Sequence, residues 1–259
     1  MERASWMRKP GGSPARARAW WMVAGMAVAG VAWAAASFDL VSFGSFRRVN
    51  HTGDTQGQVK LADLPQGEGS WGVGALAGFA GEVLLHDGRL LVSRGHDDEG
   101  AVSAAKTGDE AVLFVAARVR KWADAKVPVD MDRARFEAFV VEQARAHGLD
   151  PELPFPFLVE GRFTALTWHV VTGAAAGGTA GSGHGGGAHA NKHAGMKVFA
   201  QSGASGRLVA FASGAGLEGV ISHPGERFHI HYVDGALSAS GHVDDYAVAR
   251  GAVVRIPLR

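Results

Sequence analysis

The sequence predicts an α+β fold of mostly antiparallel or mixed β-sheets with one or two helices, on three observations. Short runs rich in Val, Leu and Phe recur between residues 72 and 248, separated by Gly and by Asp-Gly turn signals. Beyond the N-terminal apolar run, helical spacing is clear in one stretch, 130–148, and nothing alternates strand with helix as a parallel sheet requires. The 37 glycines among 259 residues, about twice ordinary usage, point to loops and close backbone approaches.

The elements follow in order. Ala19–Ala36 is an uncharged, apolar run of 18 residues behind Arg3, Arg8, Lys9, Arg16 and Arg18. It reads as a targeting helix that exports the rest of the chain, leaving it periplasmic, extracellular or anchored to the inner membrane. Ala34 and Ala36 before Ser37 fit a cleavage site, and the length also fits a retained anchor, so residues 1–36 are read as signal peptide or anchor. Residues 37–70 are polar and read as an extension leading into the fold, with regular structure starting after the turn-rich 53–58. The main domain is then 71–259. Residues 72–78 and 82–92 read as strands, the second folded into a hairpin at Asp87-Gly88, and 111–119 as another strand. In the 130–148 helix, Phe136, Phe139, Val140 and Ala144 share a face, Asp130 or Asp132 can cap the start, and Gly148 can end it. Strand patterns return at 157–171, 196–200, 207–212 and 228–233, with a second hairpin signal at Asp234-Gly235. Between them, 172–195 is Gly-rich and reads as a flexible surface loop; its His184, His189 and His193 have no neighbours to preorganise them.

Composition removes several functions. No cysteine is present, so disulfides, thiolate metal sites and cysteine nucleophiles are excluded, and a metal must sit on His, Asp or Glu. The formal charge is +1, and residues 1–36 hold a net +4 of it by count, so the remainder is slightly acidic and unlike a nucleic-acid binder. Membrane contact is expected only through the N-terminal segment. Nucleophilic hydrolysis lacks its G-x-S-x-G elbow.

The chemistry concentrates at 224–243. On a strand, His229 and His231 project from one face, so both imidazoles can approach one ion. A two-residue turn at Asp234-Gly235 would pair His231 with Ser238 and His229 with Ser240, placing His242 on the same face one diagonal step away. Three imidazoles bind zinc or another divalent first-row ion and leave positions open for water or substrate. The plain alternative is that His229 and His231 are polar strand positions alternating with core residues Phe228, Ile230 and Tyr232. Glu82 could add a carboxylate, although taken alone it reads as a solvent-facing strand residue.

Taken together, the G-E-V-L-L-H-D-G-R-L block at 81–90, the V-E-G-R-F segment at 159–163, the R-L-V-A-F segment at 207–211, and the P-G-x-x-F-H-I-H-Y and S-G-H-V-x-D blocks at 224–232 and 240–245 resemble the α-acetolactate decarboxylases. The resemblance runs from about His51 to Val243. It implies zinc held by His229, His231 and His242, with Glu82 at the metal site. It further implies a small 2-hydroxy-3-keto acid substrate, decarboxylation of 2-acetolactate to acetoin, and a homodimer. Two positions depart from the family pattern. Where the family usually has an arginine after the G-x-F strand, the aligned stretch offers His169, and no Glu follows Glu226 to match the family's C-terminal glutamate. The departures keep open a second reading, a non-catalytic metal- or ligand-binding domain of the same fold. A cupin-type oxygenase also uses H-x-H on a strand, but it expects a glutamate shortly afterwards, and 232–243 offers only Asp234.

Overall fold

The computed structural model describes residues 33–35, 38–173 and 195–258. The first half of the chain supplies strands β1 (Trp33–Ala35), β2 (Phe38–Phe43), β3 (Val59–Lys60), β4 (Ser70–Leu76), β5 (Glu82–His86), β6 (Arg89–Ser93), β7 (Val102–Ser103) and β8 (Glu110–Val119). They form one sheet in the order β1-β2-β8-β4-β5-β6-β7, with β3 also on β8. The second half supplies β9 (Trp122–Lys126), β10 (Met131–Asp132), β11 (Phe155–Val171), β12 (Met196–Gln201), β13 (Ala204–Ala212), β14 (Phe228–Asp234), β15 (Ser240–Val248) and β16 (Val253–Pro257). Their order is β10-β15-β14-β13-β11-β16-β9, with β12 on β11. Ladders between the named strands are antiparallel throughout the described residues, as the sequence predicts. Helix α1 (Phe46–Thr52) follows β2, and α2 (Arg133–Ala146) precedes β11.

The sheets share one apolar core. Leu40, Trp71, Val73, Leu84 and Val115 of the first pack in one cluster with Phe157, Trp168, Val209 and Tyr232 of the second. Alternate positions of the first sheet, among them Val83, Leu85, Phe114 and Ala116, turn away and join Leu61 and Leu64 in a separate cluster. This division makes β5 informative: Glu82, Leu84 and His86 share the face that Leu84 places toward the second sheet.

The second sheet closes on itself through β11. Its early residues pair with β13, and Phe163–His169 pair with β15, so β14 and β15 each have a neighbour on both sides. Inside the closure Tyr232 meets Phe163 and Trp168, and Trp168 stacks on Phe199 at 4.1 Å. Gly241 lets β15 pass beneath that ring: a Cβ there would lie 2.3 Å from the His169 carbonyl oxygen and 2.6 Å from the Trp168 ring. Gly241→Ala is therefore expected to cost roughly 1–3 kcal/mol, seen as a lower thermal midpoint. An unchanged midpoint would mean that the strands have slack here.

Several sequence expectations meet the structure directly. Helix α2 starts at Asp132, whose carboxylate accepts from the Arg135 amide at 2.9 Å. Asp130 instead accepts from the Arg250 amide at 2.7 Å. The Asp87-Gly88 hairpin is a two-residue turn with φ of 49° and 82°, the pair that a type I′ turn demands. Asp234-Gly235 differs. The observed register sets His231 opposite His242 and Val233 opposite Ser240, because the Asp234 carboxylate accepts from the Ser238 and Ala239 amides and holds a longer loop. Regular structure also begins earlier than the polar composition of 37–70 suggests: β2 pairs with β8 over six residues, and Ser45 caps α1. Of the apolar run Ala19–Ala36, Trp33–Ala35 is described and extends along β2; the remainder lies outside the described residues. So do residues 174–194 with His184, His189 and His193. No helix among the described residues is long and apolar enough to cross a membrane.

Candidate metal centre

His229 and His231 share one face of β14, and the pairing of β14 with β15 and of β15 with β11 sets His231, His242 and His169 in a row across three strands. His229 sits one step along β14. The ligand nitrogens of His229, His231 and His242 lie within 4.8 Å of one another, and all three side chains are buried. The nearest ring centroids are 5.2–5.5 Å apart.

Whether this donor set suits an ion is decided by its nitrogens. The Ile221 carbonyl oxygen lies 2.8 Å from His229 Nδ1, so Nδ1 carries the proton and Nε2 keeps its lone pair. His231 is fully buried, and neither ring nitrogen has a protein hydrogen-bond partner. A buried polar pair left this way costs about 1–3 kcal/mol per group unless something binds it. Burial pushes His229 down to about 3, with the neighbouring His223 adding to the effect. Burial and the neighbouring imidazoles hold His231 and His242 well below the ordinary range. All three are neutral lone-pair donors at pH 7, the form that coordinates zinc.

Glu82 arrives from the other sheet and is not solvent-facing. It is 4% exposed, with Oε2 3.5 Å from His231 Nε2 and Oε1 3.9 Å from His169 Nε2. The Val171 amide donates to Oε1 at 3.4 Å. Burial raises this carboxyl to about 7, against the lowering influence of His169 and the Val171 amide. It therefore holds or releases a proton near neutrality.

His169 lies between two carboxylates. Its Nδ1 is 2.8 Å from Asp244 Oδ1, which fixes the proton on Nδ1 and turns Nε2 toward Glu82. Burial alone would lower its pKa, but the Asp244 hydrogen bond and the Glu82 charge outweigh burial and the net direction is upward.

Two members of the site are absent from the sequence reading. Asp244 is the extra residue of a bulge, since Val243 pairs with Trp168 and Asp245 with Thr167. The bulge aims its carboxylate at His169, and adjacent acids on a strand carry no sequence signal for that. His223 stands beside the trio, its ring 5.2 Å from His242 and 6.4 Å from His229. Burial and the nearby His169 push it down to about 4. The His-Pro-Gly-Glu stretch at 223–226 could have been read as a tight turn pointing its first residue at the metal block. Beyond His223, Arg133 Nη1 donates to the Asp244 carbonyl at 2.8 Å, and its Nη2 lies 3.7 Å from Glu226, forming a charged rim.

Comparison with known proteins agrees with this architecture. No curated protein matched at the level of sequence. The crystal structure of the alpha-acetolactate decarboxylase from Bacillus subtilis strain 168 superposes with a TM-score of 0.61 at 18% identity, covering 84% of this chain and 85% of that one. A protein of unknown function similar to alpha-acetolactate decarboxylase, from Staphylococcus aureus, gives 0.62 at 18% identity over 84% of each chain. At that identity the likeness shows a shared fold. The family model for alpha-acetolactate decarboxylase matches residues 50–257, and the chain belongs to that family.

Proposed function

We propose that the chain is a zinc-dependent carboxy-lyase that converts 2-acetolactate to acetoin and CO2. The observation that carries the proposal is the convergence of three neutral imidazoles with a buried carboxyl group that can hold a proton near pH 7. When bound, a divalent ion at His229, His231 and His242 supplies a Lewis acid for the negative charge that develops on the substrate's hydroxyl and ketone oxygens. The carboxylate leaves with cleavage of the C1–C2 bond, and the electron pair stays on the remaining enediolate. One proton must then reach C2, so each turnover consumes a proton.

Glu82 is the candidate donor, because it faces the trio from the opposite sheet and its raised pKa keeps a protonated fraction at neutrality. By the resemblance, His169 stands in the stretch that aligns with the family's arginine. Held by Asp244 and raised in pKa, it offers positive charge for the substrate carboxylate without arginine's two-pronged geometry. The N-terminal basic and apolar run supports export, so the same proposal has this chemistry take place outside the cytoplasm.

The second reading, a binding domain without turnover, draws on His169 in the stretch that aligns with the family's arginine. The two separate on one assay: acetoin released from racemic 2-acetolactate by the purified, zinc-loaded full-length chain. Zinc-dependent acetoin is the expected result; a zinc-loaded, folded protein that yields none supports the binding domain. In the same assay Glu82→Gln is expected to keep its zinc and lose about 10²-fold or more in rate. An undiminished rate would remove Glu82 from the chemistry.

A further inference from the structure

We propose that His223 is a ligand-contacting residue, supplying a hydrogen bond to an oxygen of the small hydroxy-keto acid seated over the histidine trio. The proposal rests on the metal-site half of the functional reading and not on turnover.

Three features set His223 apart from an ordinary loop residue. First, its backbone is fixed. The Glu226 amide donates to the His223 carbonyl at 3.0 Å across Pro224-Gly225, with Gly225 at φ 84°, the pattern of a type II turn. The Gly225 amide donates to Glu218 at 2.7 Å, and the Ser222 hydroxyl donates to the Glu226 carbonyl at 2.7 Å. Second, its ring is backed. Phe46 of α1 lies 3.9 Å away, centroid to centroid, and α1 is tied to the same loop through Arg47, whose amide donates to the Gly219 carbonyl at 2.6 Å.

Third, its nitrogens are free. The comparable ring nitrogens of His229 and His169 are anchored by Ile221 and Asp244, whereas the His223 imidazole makes no side-chain hydrogen bond among the described residues. The residue is half-buried, and its ring stands edge-on, at 83°, to His242. It lies outside the group of three whose ligand atoms share one point, so it walls the site without completing the donor set. An imidazole with one N–H and one lone pair can accept from a hydroxyl or donate to a ketone or carboxylate oxygen. A site that relies on such a bond discriminates against ligands lacking the matching oxygen.

The test uses acetohydroxamate, a two-oxygen chelator, titrated calorimetrically into the zinc-loaded full-length protein. His223→Leu is expected to bind it about five- to tenfold more weakly than wild type. His223→Gln keeps a donor and an acceptor and should stay within about threefold, with zinc content equal in all three. Equal affinity in wild type and His223→Leu overturns the proposal, as does absence of probe binding to wild type. Loss of zinc from His223→Leu also overturns it, by making His223 a metal ligand. Failure of the decarboxylase reading is seen separately, as missing acetoin from a protein that still binds zinc and probe.

Discussion

Replacing His231 with glutamine is expected to leave a folded protein with far less than one zinc per chain and acetoin formation slowed by at least about a hundredfold. His231 is fully buried, neither of its ring nitrogens makes a hydrogen bond, and Glu82 Oε2 is 3.5 Å from its Nε2. Losing it leaves two imidazoles, fewer than a catalytic zinc site requires. In zinc-free protein the same change should cost little stability, since no hydrogen bond is lost. That pairing of a large metal effect with a small stability effect is what a merely structural core histidine would not give. Zinc content near one per chain in the variant, measured by atomic absorption, would sink the assignment.

Acidification of the zinc-free protein is the second large effect. In an unfolded chain these histidines take up protons near 6.5; folded, His223 waits until about 4 and His229 until about 3, and His231 and His242 are also held low. Between pH 6.5 and about 3 the unfolded state therefore binds more protons, and stability must fall as pH falls. Glu82 and His169 act in the other direction. Their folded pKa values are raised, so what they contribute is present at low pH and lost as pH rises. Four lowered groups against two raised ones leave a net loss on the order of a few kcal/mol across the window. Urea midpoints at pH 7.5, 6 and 5 measure it, alongside a triple variant with glutamine at 229, 231 and 242. Identical pH dependence in the two proteins would assign the effect elsewhere.

The candidate metal site was legible in the sequence for a reason that survives an error in register. The Asp234-Gly235 turn predicts His231 opposite Ser238, and the structure has it opposite His242, four residues further along β15. Strand faces repeat every two residues, so an even slip returns every side chain to its own face. An odd slip would have carried His242 to the side of Trp168 and Tyr232. The same dipeptide at Asp87-Gly88 forms the predicted two-residue hairpin because both residues there adopt positive φ. At the second site the Asp234 carboxylate binds its own loop, a side-chain choice that the dipeptide does not encode. Glu82 was harder, since a lone acid on a strand usually faces water, and only the packing of the two sheets buries it. Strand β2 did carry a signal, with Phe38 and Leu40 spaced for one face, but the polar stretch after it hid the pattern.

The site draws its parts from two sheets. The three ligand candidates and His169 all hang on the hydrogen-bond ladders of the second sheet, while Glu82 reaches them only because β5 packs across the shared core. In the proposed reaction, ion capture and proton delivery would thus depend on different kinds of order, backbone pairing for one and side-chain packing for the other. A state that keeps its strands but loosens its interior would still take up zinc and would no longer hold the carboxyl 3.5 Å from His231. On gentle warming or in low denaturant, turnover should fade before the metal is released. The interval between the two losses would measure how tightly one sheet is seated on the other.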